Sequence, residues 1–201
     1  MKIKNILLLA GSLAAATFSF SASASVLIDI NQPDASVYMA GFYQQGLAQS
    51  FTPTQGNVAG AGVTLQAGVG TTDTVTIALY DALPNQAGAN QLAFASGIGT
   101  AGSVFDVFFS PVNVTVGQLY FLYFTSANDT LGIAGSTADP YKGGNTFANP
   151  SFDSYPTFDY AFRTYYDPAG SSSGNVPEPT SIALLGLGLI GFAASRRKSA
   201  K

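Results

Sequence analysis

From Val26 onward the chain alternates short apolar runs with clusters of Gly, Pro, Asn and Asp. The first runs are Val26–Ile30, Ala48–Phe51, Gly62–Leu65, Thr74–Tyr80 and Gln91–Ala95. Val104–Phe109, Val112–Val116, Leu119–Phe124, Gly132–Ala134 and Tyr160–Tyr165 follow. They are rich in Val, Ile, Thr, Phe and Tyr, whose branched or flat side chains suit a pleated, half-buried surface. Thr74–Tyr80 alternates cleanly, which places Val75, Ile77 and Leu79 on one face. Tyr160, Phe162 and Thr164 alternate with Asp159, Ala161, Arg163 and Tyr165 in the same way. No three-to-four residue period occurs ahead of the last two dozen residues. Strand after strand with turn signals between them predicts an all-β fold, a two-sheet jelly-roll β-sandwich. Val116-Gly117-Gln118 reads as a tight hairpin turn, and Asp81–Asn90 as a loop turned by Pro84-Asn85 and Gly88.

The two ends break this pattern. Met1-Lys2-Ile3-Lys4 is positive, Ile6 to Phe20 is apolar, and Ala22-Ser23-Ala24 is a small-residue cleavage site. Residues 1–24 therefore read as a secretory signal peptide, cut by signal peptidase to start the mature chain at Ser25. Residues 25–168 form the predicted β-sandwich domain, and residues 169–175 a flexible Gly/Ser linker. In residues 176–201, Val176-Pro177-Glu178-Pro179 is held extended by its prolines. An uncharged apolar stretch, Ile182 to Ala194, comes next, and Arg196-Arg197-Lys198 closes it. As a helix this stretch would span only about 22 Å of a hydrocarbon core about 30 Å thick. Snorkelling of the basic side chains extends that reach. The basic cluster belongs on the cytoplasmic side, which leaves the sandwich outside, as the signal peptide also requires.

Composition removes much chemistry. The 201 residues contain no Cys and no His. A disulfide, a thiolate nucleophile, a Cys/His zinc site and a histidine base are all excluded. An exported domain of this kind must hold itself together by its core alone. Between Ser25 and Asn175 only Lys142 and Arg163 are basic, against ten Asp and no Glu, which leaves that span at −8. Two cations cannot build a groove for nucleic acid.

The residues of the C-terminus resemble the PEP-CTERM sorting domain. The match is carried by Val176-Pro177-Glu178-Pro179-Thr180, the Gly/Leu-rich apolar helix and Arg196, Arg197 and Lys198, over about Val176 to Lys198. The resemblance implies an exported protein of a Gram-negative bacterium and an inner-membrane intermediate. It also implies processing by exosortase, a membrane cysteine protease-transpeptidase, near Pro177, Glu178 and Pro179. It further implies association with extracellular polysaccharide and biofilm. A second resemblance covers Gln49 to Tyr166. Gln49-Ser50-Phe51-Thr52-Pro53, Val75–Asp81, Pro111–Val114, Gly117–Leu122, Asp139–Gly144 and Asp159–Tyr165 fall in an order similar to a jelly-roll domain of secreted, surface-anchored bacterial proteins. That implies a sandwich similar to carbohydrate-binding modules and fixes no ligand.

The candidate chemistry of the middle is thin. Gly97-Ile98-Gly99-Thr100-Ala101-Gly102 leads into a strand pattern rather than a helix, and Gly186–Gly191 lies in the apolar tail, so neither reads as a dinucleotide fingerprint. Asp34, Asn128, Asp129, Asp139 and Asp153 in loops offer oxygen ligands for a structural calcium ion, or else each begins a turn. Phe105, Phe108, Phe109, Phe121 and Phe124 lie on predicted strands and read as core. Tyr141, Tyr155, Tyr165 and Tyr166 are the better candidates for stacking on sugars. Tyr141, Asp159, Arg163 and Tyr165 make up the candidate ligand surface. The alternative for Arg163 is an ion pair with a carboxylate that ties down the last strand. Three readings follow: a non-enzymatic surface or matrix protein, a specific carbohydrate-binding module assisted by calcium, and a glycosidase-like enzyme using paired Asp.

Overall fold

The structure, a computed structural model, describes residues 25–170. The expected signal helix and C-terminal membrane helix lie outside the described residues, as do Ala22, Ala24, Pro177, Glu178, Pro179, Arg196, Arg197 and Lys198. Among the described residues no helix is long and apolar enough to cross a membrane.

The strands are β1 (Leu27–Gln32), β2 (Val37–Gly41), β3 (Leu47–Phe51), β4 (Asn57–Ala67), β5 (Thr72–Tyr80), β6 (Gln91–Thr100) and β7 (Val104–Asn113). β8 (Tyr120–Ser126), β9 (Leu131–Ser136), β10 (Thr146–Ala148), β11 (Asp153–Tyr155), β12 (Asp159–Tyr160) and β13 (Phe162–Tyr166) complete the described set. A single 3-10 turn, Phe42–Gln44, joins β2 to β3. Every pairing is antiparallel. β5 pairs with β6, β4 with β7, β3 with β8 and β2 with β9, a nested series like one long hairpin. That hairpin is rolled up, because β8 also pairs with β5 and β9 with β4. One sheet thus holds β2-β9-β4-β7 and the other β3-β8-β5-β6. This order is consistent with the jelly-roll expectation. β13 adds to β4 and carries β1, β12 adds to β9, and β10 and β11 extend the second sheet beyond β3.

Two antiparallel sheets of alternating strands bury one face of each against the other. Val75, Ile77 and Leu79 of β5 are fully buried, as their alternation predicts. Ala61, Val63 and Leu65 of β4, Ile133 of β9 and Phe162 of β13 come from the other sheet into the same cluster. Each such Leu, Ile or Phe contributes about 1.5–3 kcal/mol on burial. A second, smaller cluster of Ala48, Leu83, Phe121 and Phe147 lies apart from it.

Several elements differ from the pattern reading. β2, β10 and β11 are not marked by apolar runs. The run at 104–109 and the first two residues of that at 112–116 fuse into β7, with Pro111 inside it, and Val114–Val116 lie beyond its end. On this edge strand Pro111 falls where the β4–β7 register jumps, from Gly60 opposite Phe108 to Val58 opposite Val112, so its missing N–H costs no ladder bond. The turn at Val116-Gly117-Gln118 forms, with Gln118 N–H donating to Thr115 O at 3.1 Å and Gly117 at φ 82°. It joins strands of different sheets, however, and is not a hairpin. The 81–90 loop does close a hairpin, and Asn90 N–H donates to Asp81 Oδ1 at 2.7 Å. Phe108 is the exception among the expected core aromatics, at 51% exposure on the outer face of β7.

Candidate functional site

Arg163 and Tyr165 share the outer face of β13, and β4 decides what they meet. Arg163 is in register with Gly62, and Gly62 with Asp106 of β7. Tyr165, Gly60 and Phe108 form the next row. With no side chain on the middle strand, groups two strands apart can touch. Arg163 Nε donates to Asp106 Oδ1 at 2.7 Å and its Nη2 to Oδ2, a bidentate pair. Tyr165 OH donates to the same Oδ1 at 3.0 Å, and its ring packs on Phe108 with centroids 5.0 Å apart. The guanidinium carbon also lies 5.5 Å from the Tyr165 ring centre. The Asp106 hydrogen bonds hold the Arg163 guanidinium above its ordinary value. Burial, and then the bond to Asp106, push the Tyr165 hydroxyl up to about 12. Both remain fully protonated at neutral pH, Tyr165 is buried, and its hydroxyl is given to Asp106, so this cluster offers neither a base nor an open ring face.

Tyr141 and Asp159 lie elsewhere, in an interior network. Asp159 is fully buried. Its Oδ1 accepts Gln49 Nε2 at 3.0 Å and its Oδ2 accepts Tyr141 N–H at 2.9 Å. Gln49 Oε1 accepts Thr146 Oγ1 and Tyr160 N–H, so one amide ties β3, β10 and β12 together. Tyr141 OH accepts Thr52 N–H at 3.0 Å, and its ring meets Phe162 edge-on at 5.2 Å. Burial raises the Asp159 carboxyl and the Tyr141 hydroxyl above their usual values. The four residues of the candidate ligand surface therefore fall into two separate pairs.

Three of the expected loop carboxylates, Asp34, Asp139 and Asp153, the last of which begins β11, are engaged locally. Asp34 accepts Ser36 N–H, Asp139 pairs with Lys142 at 2.6 Å, and Asp153 accepts Ser151 Oγ and Asn149 Nδ2. Among the described residues no three His, Cys, Asp or Glu side chains gather as a metal cluster. Asn128 and Thr130 turn instead toward Asp73 of β5, a residue with no loop or spacing signal in the sequence. Asp73 is 5% exposed. It accepts Ser126 Oγ at 2.6 Å, Asn128 Nδ2 at 2.9 Å, and the N–H groups of Thr74, Asn128 and Thr130. Burial alone would raise this carboxyl. The donors of Ser126, Thr130, Asn128 and Thr74 outweigh it and hold the group well below the usual carboxylate range.

An aromatic cleft of about 200 Å³ opens where the 3-10 turn meets β10 and β11. Tyr155 and Phe158 stack on each other there, with centroids 5.7 Å apart and planes at 9°. Gln44, Thr146 and Met39 share its lining. Tyr38 and Tyr43 are the most exposed tyrosines, at 42% and 67%. Of these four aromatics the sequence reading marked only Tyr155. Phe158 carries no periodic signal, because it lies in the turn after β11 and stacks back on the last residue of that strand.

Residues 175–198 match the PEP-CTERM protein-sorting motif. No curated protein matches the chain. The motif implies an exported, surface-directed protein that exosortase processes.

Proposed function

We propose that this chain is a non-enzymatic cell-surface or extracellular-matrix protein of a Gram-negative bacterium, associated with the extracellular polysaccharide of its biofilm. Signal peptidase releases it at Ser25. It then rests in the inner membrane through its apolar tail until exosortase acts near Pro177, Glu178 and Pro179. The observation that carries this reading is the sorting motif at residues 175–198. A jelly-roll sandwich is a suitable cargo, since its pairings and core bring distant parts of the chain into one cooperative unit. The absence of His and Cys supports a non-catalytic role. Replacing Pro177, Glu178 and Pro179 by Ala tests it. The variant should accumulate uncleaved in the inner-membrane fraction, and unchanged release to the surface or medium would refute exosortase recognition.

The stacked Tyr155 and Phe158 favour a second reading, a carbohydrate-binding module with one sugar seated in their cleft, assisted by calcium. A glycan array with and without calcium tests this. Saturable binding that Tyr155→Ala abolishes supports the module; no binding in either condition leaves the polysaccharide association to the matrix reading alone.

A further inference from the structure

Four described strands run along a sheet edge with features that discourage further pairing. β1 is broken by a bulge between Ile28 and Ile30 and carries Asp29. β2 has only five residues and a bulge between Tyr38 and Ala40. β7 carries Asp106 and Pro111. β11 has three residues and begins with Asp153. Short length, bulges, Pro and charge are the devices that keep sheet edges from joining other chains.

β6 has almost none of them. It spans ten residues, Gln91–Thr100, and pairs only with β5. It contains no charged residue and no Pro. Its one bulge is at Leu92, which leaves Ala93–Thr100 in regular register. β7, next along the chain, belongs to the other sheet and forms no ladder with β6. A groove of about 500 Å³ runs between them at Leu92–Phe94 and Phe109–Val112. Phe94 and Ile98 stand out from β6 at 59% and 70% exposure.

Charge selects the occupant. The span from Ser25 to Asn175 carries −8, so two copies repel over most of their surfaces. The β6 edge carries no charge and is the long edge where a like-charged copy meets least repulsion. An antiparallel pair of identical strands is self-complementary about a two-fold axis.

We propose that β6 pairs antiparallel with β6 of a second copy, centred on Ser96, to join two six-stranded sheets into one. In that register Ser96 faces Ser96, and Phe94 faces Ile98 in both directions. An exposed aromatic and an exposed β-branched side chain thereby become a cross-strand pair. The contact is isologous and closes on itself, so it yields a dimer and not a fibre. This inference goes beyond the sorting reading and does not depend on it.

The absence of Cys makes the test clean. The full chain is purified in detergent that holds its apolar ends, and its mass is followed by sedimentation over a concentration series. Paired Cα atoms about 4.5–5.5 Å apart lie within disulfide range. Ser96→Cys should therefore cross-link under mild oxidation, and Tyr43→Cys, exposed on another part of the surface, should not. Ser96→Lys and Phe94→Lys should each weaken the dimer about tenfold or more through like or lost pairing, with unchanged circular dichroism. A monomer at every concentration overturns the proposal. So does a dimer that both folded lysine variants leave intact, or cross-linking of Tyr43→Cys as efficient as that of Ser96→Cys.

Discussion

At the scale of single residues, two buried carboxylates titrate in opposite directions. Asp159 meets two donors in the core and is raised by burial, so its contribution to stability is greatest below the ordinary Asp value and falls as pH rises through the folded one. Asp73 meets six donor groups, the Thr130 hydroxyl among them, and is lowered, so its contribution is complete above the ordinary value, about 3.9, and is lost as pH falls toward the folded one. Asp73→Ala should cost about 3 kcal/mol at neutral pH, because it strands donors of β8 and the following loop. The gap between wild type and variant should narrow on acidification below about pH 4, as the carboxyl of the unfolded wild-type chain takes up a proton that the folded one resists. Urea unfolding at neutral and acid pH measures both, and a gap that stays constant or widens in acid excludes the hydrogen-bonded carboxylate as its source. Neither environment was legible in the sequence. Asp73 lies just ahead of the alternating run Thr74–Tyr80, and all its donors but the Thr74 N–H arrive from residues 126–130. Asp159 reads as part of the ligand surface because alternation puts it on one face with Arg163 and Tyr165, but the strand is interrupted at Ala161, between β12 and β13.

At the scale of elements, the glycines of β4 connect strands that are not neighbours. Arg163 was expected to find a carboxylate, and it does. Its partner could not be read, because Asp106 is reached only across Gly62. A Cβ at Gly62 would overlap Asp106 Oδ1 and crowd Arg163 Cγ at 3.2 Å. Gly62→Ala should therefore break the bidentate pair and destabilise the fold by about 1–3 kcal/mol. Arg163→Ala should cost about 2 kcal/mol, since the pair is only partly buried and leaves Asp106 with Tyr165 alone. The two changes remove one interaction, so the double variant should lose clearly less than their sum in thermal or urea unfolding. Simple additivity would mean that Gly62 acts through its own strand and not through the bridge. The same scale explains which strands were legible. β5 and β8 carry long runs of β-formers. β10 and β11 have three residues each, too few for any period, and β7 reads as two runs about Pro111, which a bulge on an edge strand makes harmless.

At the scale of the whole molecule, the chain separates into parts with different physical instructions. Alternation and turn residues specify a sandwich; the sorting motif at residues 175–198 marks an exported, surface-directed chain. The motif was legible because its signal is compositional and local, whereas the stacked aromatic cleft and the β6 edge depend on how the thirteen described strands are ordered. The two sets of instructions should be separable by experiment. The core of the sandwich is assembled from residues between Ile30 and Phe162, on strands of both sheets. Mass analysis of the protein released from cells should then find a mature start at Ser25 and loss of the segment after Pro179. Thermal unfolding of this product should match that of the uncleaved Pro177/Glu178/Pro179 variant to within about 1 kcal/mol, since substitutions away from a core rarely exceed that. Released material that retains Arg196–Lys201 would break the link between the motif and processing. A processed domain much less stable than its precursor would show instead that the tail contributes to the fold, so that cleavage by exosortase acts on the structure as well as on its location.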